Sequence, residues 1–486
     1  MKKNIITYIA IAAIVMHSAA CSKESLNPVP TTSISDASAF NTKERIEGQV
    51  RAMYAAMKNA GMYGGRYQIF NDIRGADFSN DRTNVVTGFD IWNYTPSNSS
   101  TNSVEALWGR AYFVINLANV FLDGMDTKGT SVVGDAVSKN YQGEARFIRA
   151  ISYYALLQLY ARPYWDGNGS KPGVPLRVKG NTGFGDYALA RASVAEVYTQ
   201  ILEDLTFAEQ NLKTDNGSAI LNTTRAHRNT AIAFKTRVYL SMQKYAEVIT
   251  EANKLVPATA PFKASSGVAH ELQADIANVF KAPYTTTESI LSMPFASNEA
   301  PGTQNQLGYY YGPSSFNGGN GEYSLLSTGI VSNAGWLAAD KRRSFILLSG
   351  SKNYLTKYPA ISPFTDYAPV IRYAEVLLNL AEAKVRSTNT IDQQAIDLLN
   401  AIRGRSDAST VFTPASFADA AALADAILIE RRIELLGEGF AGADITRLGL
   451  SLPAKPGVNA IPSTGQQYIW PIAASELLLN TLCTDN

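Results

Sequence analysis

Apolar residues recur at every third or fourth position through about residues 41–60 and 103–280, and again at Arg372–Arg386, Asp392–Arg403 and Ala420–Leu436. The clearest runs are Val104–Leu122, Tyr141–Tyr160, Val194–Leu212, Thr230–Met242 and Tyr245–Val256. A stripe of this kind hides from water only against another layer, so the chain must pack helix on helix. Two segments break the pattern. Residues 61–102 are rich in Gly, Asn, Asp, Thr and aromatics, and residues 281–370 contain QNQLGYYYGPSSFNGGNGEY. Loops of this length in a compact body are functional or disordered, and their aromatic load argues for order.

Ala231–Pro257 reads as a tetratricopeptide unit: Ala233, Val238 and Tyr239 on a first helix, then Ala246 and Ala252 on a second that Pro257 ends. RYAEVLLNLAEAKV with AIDLLNAIRGR is a weaker copy, far off in sequence, which argues against a plain solenoid. The expected fold is mostly α: a tetratricopeptide-like helix-pair scaffold with a long, irregular, loop-rich ligand-binding region. Residues 41–280 form an N-terminal helical part with a binding loop at 61–102, 281–370 a loop-rich insert, and 371–486 the C-terminal helical part of the same body.

Residues 1–20 read as a signal peptide, with Lys2 and Lys3 before an apolar stretch from Ile5 to Met16. That stretch is about half a bilayer span. The cut falls in Ser18-Ala19-Ala20-Cys21, which resembles a bacterial lipobox with Ser18 where leucine is usual. An ordinary secretory cut beside a stray cysteine is the other reading. The lipid reading is favoured, because a bond from Cys21 to Cys483 would only tie two tails. Residues 21–40 would then be a lipidated tether, polar and punctuated by proline.

The formal charge of +1 gives no electrostatic reason for a nucleic-acid partner, and three histidines with two cysteines leave little for metal clusters. No metal or cofactor is expected. GEGFAG has dinucleotide-motif spacing at Gly437, Gly439 and Gly442, but it follows a helix instead of a strand, so a glycine turn is expected. His270-Glu271 lacks the second histidine of a zincin motif. Glu375 and Glu382 share a helix face about 10 Å apart, wide for the paired acids of a glycosidase. An i,i+3 pair with Arg372 accounts for Glu375, and ERRIEL reads as a salt-bridged helix face. Asp72, Asp77, Asp81 and Asp90 show no EF-hand spacing, so they are expected on a solvated loop, with a calcium site a minor alternative.

The two loop segments remain. They hold Arg66, Asn71, Asp72, Arg82, Trp92 and Tyr94, and then Gln304, Tyr309, Tyr310 and Trp336. Flat rings stack on the C–H faces of sugars while Asn, Asp and Arg bond hydroxyls. The same set suits a peptide or the packing of the loops themselves.

Several stretches carry a family resemblance: Trp108, Tyr112, Ile115, Asn116 and Asn119; EARFIRAISYYALLQLY; SVAEVYTQILEDL; IRYAEVLLNLAEA; ILIERRIELLGEGF with DITRLG; and PIAASELLLN. In this order, together with the lipobox, they resemble the SusD/RagB-like outer-membrane nutrient-binding lipoproteins across nearly the whole mature chain. The turn glycines lead to Ala441, where the family usually has arginine. The resemblance implies a lipid-anchored, surface-exposed outer-membrane protein without catalysis, partnered by a SusC-like TonB-dependent transporter. It also implies an oligosaccharide ligand or, in some members, a peptide. On this reading Trp92, Tyr94, Tyr309, Tyr310 and Trp336 stack on sugar, and Asn71, Asp72 and Arg82 hydrogen-bond it. A peptide-binding lid is the first rival and a glycoside hydrolase a more distant one.

Overall fold

The computed structural model describes residues 38–302 and 304–486; the signal peptide, Cys21 and most of the tether lie outside them. The main helices are α1 (Lys43–Met57), α2 (Arg66–Ile73), α3 (Val104–Gly124), α4 (Asp135–Tyr160) and α5 (Val194–Asn211). They continue with α6 (Arg228–Ser241), α7 (Tyr245–Ala252), α8 (Tyr373–Thr388), α9 (Gln393–Ser406), α10 (Ala420–Glu434) and α11 (Ala441–Arg447). Side-chain caps set several starts. Ser193 and Glu196 form a reciprocal capping box on α5, and Asp392 and Asp419 cap α9 and α10.

Helices α4, α5, α6, α7, α8 and α9 pack in succession as antiparallel pairs. The two tetratricopeptide-like pairs, α6–α7 and α8–α9, are therefore neighbours in space although residues 253–372 intervene. The intervening chain leaves the stack and returns, and its internal strand β4 (Ser289–Met293) pairs antiparallel with β8 (Ala368–Arg372) at its far end.

The long loops hold more regular structure than their composition suggests. β1 (Phe78–Asn80) of the first segment joins β5 (Tyr323–Leu325), β6 (Ile346–Ser349) and β7 (Lys352–Leu355) of the insert in an antiparallel sheet of order β1-β5-β7-β6. A two-stranded ribbon, β2 (Pro172–Pro175) with β3 (Arg191–Ser193), lies before α5. One hydrophobic core runs from Phe40 to Cys483.

Arginine–carboxylate pairs lock the helices together. Arg149 on α4 grips Asp204 on α5 at 2.7 Å through two nitrogens, and Arg237 on α6 grips Glu375 on α8 at 2.6–2.7 Å. The expected Arg372–Glu375 pair is thus replaced. Arg372 turns instead to Glu438, because β8 ends facing the C-terminal end of α10. The ERRIEL face is salt-bridged as expected, and it is also buried: Glu430 and Glu434 meet Arg342 of the insert.

His227 and His270 are buried, their rings stacked with centroids 5.2 Å apart, and the Tyr373 ring continues the stack at 6.2 Å from His270. Burial, and for His227 also the neighbouring His270, lowers the imidazole pKa values to about 3 and about 4. Unfolded imidazoles titrate near ~6.5, so below that pH the unfolded chain binds more protons and stability falls as pH falls. Neither nitrogen of His227 has a hydrogen-bond partner, so His227→Phe removes the titration at little other cost. Between pH 7 and 4.5 the variant should gain about 2–3 kcal/mol on the wild type in denaturant unfolding. Parallel pH profiles for the two proteins would refute this.

Candidate functional site

The structure sorts the expected ligand-binding side chains by burial. Asn71, Asp72, Trp92, Tyr94, Tyr310 and Trp336 are all buried, at 5% exposure or less, whereas Arg82 is exposed and Tyr309 half-exposed.

Each buried group has structural work. Asn71 donates to the Tyr67 carbonyl of its own helix. Asp72 accepts from the Gly439 and Phe440 amides at 2.9 and 3.1 Å and from the Tyr311 hydroxyl at 3.1 Å, so it anchors the turn that leads into α11. Burial pushes its carboxyl up to about 7. That turn is the GEGFAG segment, and Gly439 sits at φ +89° with no room for a Cβ, which would lie 2.5 Å from Gln68 Cα. It is the glycine turn expected from the sequence.

Trp92 and Tyr94 enclose an internal lysine. Lys455 Nζ lies 5.3 Å from the Trp92 ring centroid and 4.0 Å from that of Tyr94, and donates to the carbonyls of Ile73 and Trp92 at 2.6 and 2.8 Å. Burial, with Arg74 nearby, pushes the lysine pKa well down. Tyr310 stacks in parallel with Tyr323 at 6.3 Å, and Trp336 is covered by Arg343 at 4.3 Å. In this structure these rings are enclosed within the scaffold, without an open face. The four loop aspartates are equally dispersed: besides Asp72, Asp77 pairs with Arg432, Asp81 with Lys352, and Asp90 accepts from Ser103. Among the described residues no group of three or more His, Cys, Asp or Glu could hold a metal ion.

Arg82 and Tyr309 do come together. The antiparallel β1–β5 pair brings Asp81 to Glu322, where the Asp81 amide donates to the Glu322 carbonyl at 2.9 Å. Arg82, next in the chain, then donates through Nε and Nη2 to the Asn320 carbonyl at 3.1 and 2.8 Å. The Asn320 amide in turn donates to the Tyr309 carbonyl at 2.9 Å. On the neighbouring strand, half-buried Tyr354 stands beside Asp81; burial and that carboxylate raise its hydroxyl pKa, while Arg82 pulls it down. Burial also raises the Tyr309 hydroxyl, again opposed in part by Arg82. Two accessible tyrosines thus flank one exposed guanidinium on a sheet edge. Tyr354 was missed in the sequence; it stands on β7, where only Leu355 is buried.

A second concavity, of about 700 Å³, is lined by Trp108, Tyr112, Phe184, Tyr187 and Leu479 among others. Its polar groups are engaged with one another. Trp108 Nε1 and Arg177 bond Glu476, Asn116 bonds Asn181, and Asn119 donates to the Arg177 carbonyl. It offers rings with few free hydrogen-bonding partners. The sheet edge offers both, and is the better candidate for a hydroxylated ligand.

The fold and these sequence blocks define a SusD-type protein. A family model described as "Starch-binding associating with outer membrane" matches residues 29–240, and the SusD family model matches 361–457. A SusD superfamily protein of Bacteroides fragilis is 31% identical, superposes with a TM-score of 0.81, and covers 92% of this chain and 100% of its own. A SusD-like protein of Formosa agariphila is 25% identical over 94% of this chain and 93% of its own length. A laminarin-binding SusD-like protein shares the fold at 19% identity and a TM-score of 0.71, covering 92% of this chain and 99% of its own. The chain belongs to the SusD family, whose members associate with the outer membrane. No helix among the described residues is long and apolar enough to cross a membrane.

Proposed function

We propose that this protein captures oligosaccharide at the Arg82–Tyr309–Tyr354 edge and delivers it to a SusC-like TonB-dependent outer-membrane transporter, with no catalysis of its own. Lipid on Cys21 would hold it to the outer membrane at the cell surface. The observation that carries the reading is the pair of accessible tyrosines beside an exposed, backbone-anchored arginine. Rings supply the stacking surface, and Arg82 and Asn320 supply hydrogen bonds. Support for a binding role without hydrolysis comes from the paired acids of α8. Glu375 is gripped by Arg237 and Glu382 by Arg447, so neither carboxylate faces an open cleft.

Isothermal titration of the mature chain against an oligosaccharide panel and a peptide mixture tests this. One glycan class should give heat without new reducing ends, and Tyr309→Ala should weaken that binding by about 1–3 kcal/mol with the folded state intact. Heat from peptides alone would move the assignment to a peptide-binding lid, and new reducing ends would move it to a hydrolase.

A further inference from the structure

At the ligand edge and beneath it lie two guanidinium groups that pair with no carboxylate among the described residues. Arg82 is exposed, and both hydrogen bonds it makes end on the Asn320 carbonyl; its Nη1 has no protein partner. Behind it Arg66 is 8% exposed and donates to the carbonyls of Asn102 at 2.8 Å and Gln304 at 3.5 Å, with its buried Nε unpartnered. The Tyr310 hydroxyl donates to the same Gln304 carbonyl at 2.7 Å, which places Arg66 directly under the Tyr309–Tyr310 turn. Most other core arginines in this protein meet carboxylates, as Arg149 meets Asp204, Arg237 meets Glu375 and Arg447 meets Glu382, whereas buried Arg74 donates to the Tyr468 carbonyl. Here neither arginine meets one, among the described residues. Of the nearby acids, Asp81 pairs through Oδ1 with Lys352 and accepts from Ser324, while buried Glu322 accepts from the neutral Thr87 and Asn320; neither pairs with Arg82 or Arg66.

A guanidinium pinned by two of its N–H groups to one carbonyl is held in a fixed orientation, with its outer edge presented to solvent. That edge matches a planar carboxylate or a sulfate, and a charge-assisted bond there is about twice as strong as one to a neutral hydroxyl. A neutral sugar would leave that guanidinium edge without an anionic partner. Resting on the oligosaccharide reading above, we propose that the glycan bound at this edge is acidic, carrying a carboxylate or sulfate ester that Arg82 grips while a sugar face lies on Tyr309.

The test titrates the mature chain with three probes of equal length: neutral β-1,3-gluco-oligosaccharides, oligouronates and sulfated oligogalactans. One of the acidic probes should bind at least about tenfold more tightly than the neutral one, and its affinity should fall as salt rises. Arg82→Gln should bring the acidic probe to within about twofold of the neutral one, with Arg82→Lys keeping part of the difference. Which acidic probe prevails distinguishes carboxylate from sulfate. A neutral probe that binds as tightly as the acidic ones, or an Arg82→Gln variant that still prefers acid, overturns this inference; if Tyr309→Ala still weakens binding, the oligosaccharide reading stands. Silence of all three probes overturns both.

Discussion

Arg372→Met should lower the unfolding free energy by about 3–5 kcal/mol in denaturant titration, among the largest losses available to one substitution here. Arg372 is 1% exposed and bonds Glu438 through Nε and Nη2 at 2.7 and 2.8 Å, Glu434 at 3.1 Å, and Glu288. Glu434 and Glu438 are themselves buried, and they also meet Arg342, Arg405 and Lys357. Burial alone would raise the Glu434 carboxyl, but Arg405, Arg372, Arg342 and Lys357 together hold it well below the usual carboxylate range. Removing one cation strands acids that cannot reach water, and this stranding, more than the lost attraction, sets the cost. The cluster joins the insert, through Glu288, Arg342 and Lys357, to the ends of β8, α9 and α10. The same loss should therefore loosen the proposed ligand edge, to which the insert contributes Tyr309, Asn320 and Tyr354. Arg51→Ala is the control: its pair with Glu47 is 3.4 Å long on side chains 65% and 39% exposed, so the change should stay within about 0.5 kcal/mol. If Arg372→Met costs no more than Arg51→Ala, the network does not hold the insert.

The helical scaffold was legible because its signals are local. Val194–Leu212 becomes α5 at Val194–Asn211, and Val104–Leu122 becomes α3 at Val104–Gly124. Apolar spacing and the Ser193–Glu196 box act within a few turns, and both survive in any window of sequence. The ligand edge was legible only in part. Arg82 and Tyr309 lie where the two nominated segments meet. Their companions Asn320 and Tyr354 join them through strand pairing, which the Gly- and Asn-rich composition of the insert hides. The buried rings were unreadable for a different reason. What encloses Trp92 is Lys455, what holds Asp72 is the amide pair at Gly439 and Phe440, and what covers Trp336 is Arg343 folded back over it. For the first two the partner lies hundreds of residues away, so an aromatic, polar loop segment reads as surface when it is interior. ERRIEL was legible as a salt-bridged face; that the insert packs over it and buries it was not.

Trp92→Ala should cost about 3–5 kcal/mol of stability and leave the glycan affinity of the folded protein unchanged. The indole is 5% exposed, donates from Nε1 to the Phe78 carbonyl at 2.8 Å, and stacks with Phe89 at 6.1 Å. Truncation opens a cavity, leaves the Phe78 carbonyl without that donor, and strips one wall from the Lys455 amino group, which among the described residues bonds only carbonyls. Since β1 begins at Phe78, this damage lies next to the strand that positions Arg82, so stability and affinity must be measured separately. Denaturant titration reports the first. Isothermal titration at a temperature where the variant is fully folded reports the second. Tyr309→Ala should show the reverse pattern, with weaker binding and little loss of stability, because its ring is half-exposed and its backbone is what bonds Asn320. The contrast separates two readings of one aromatic inventory. If folded Trp92→Ala loses glycan as severely as Tyr309→Ala, the buried ring faces ligand in the bound state, and the division drawn here between scaffold rings and binding rings is wrong.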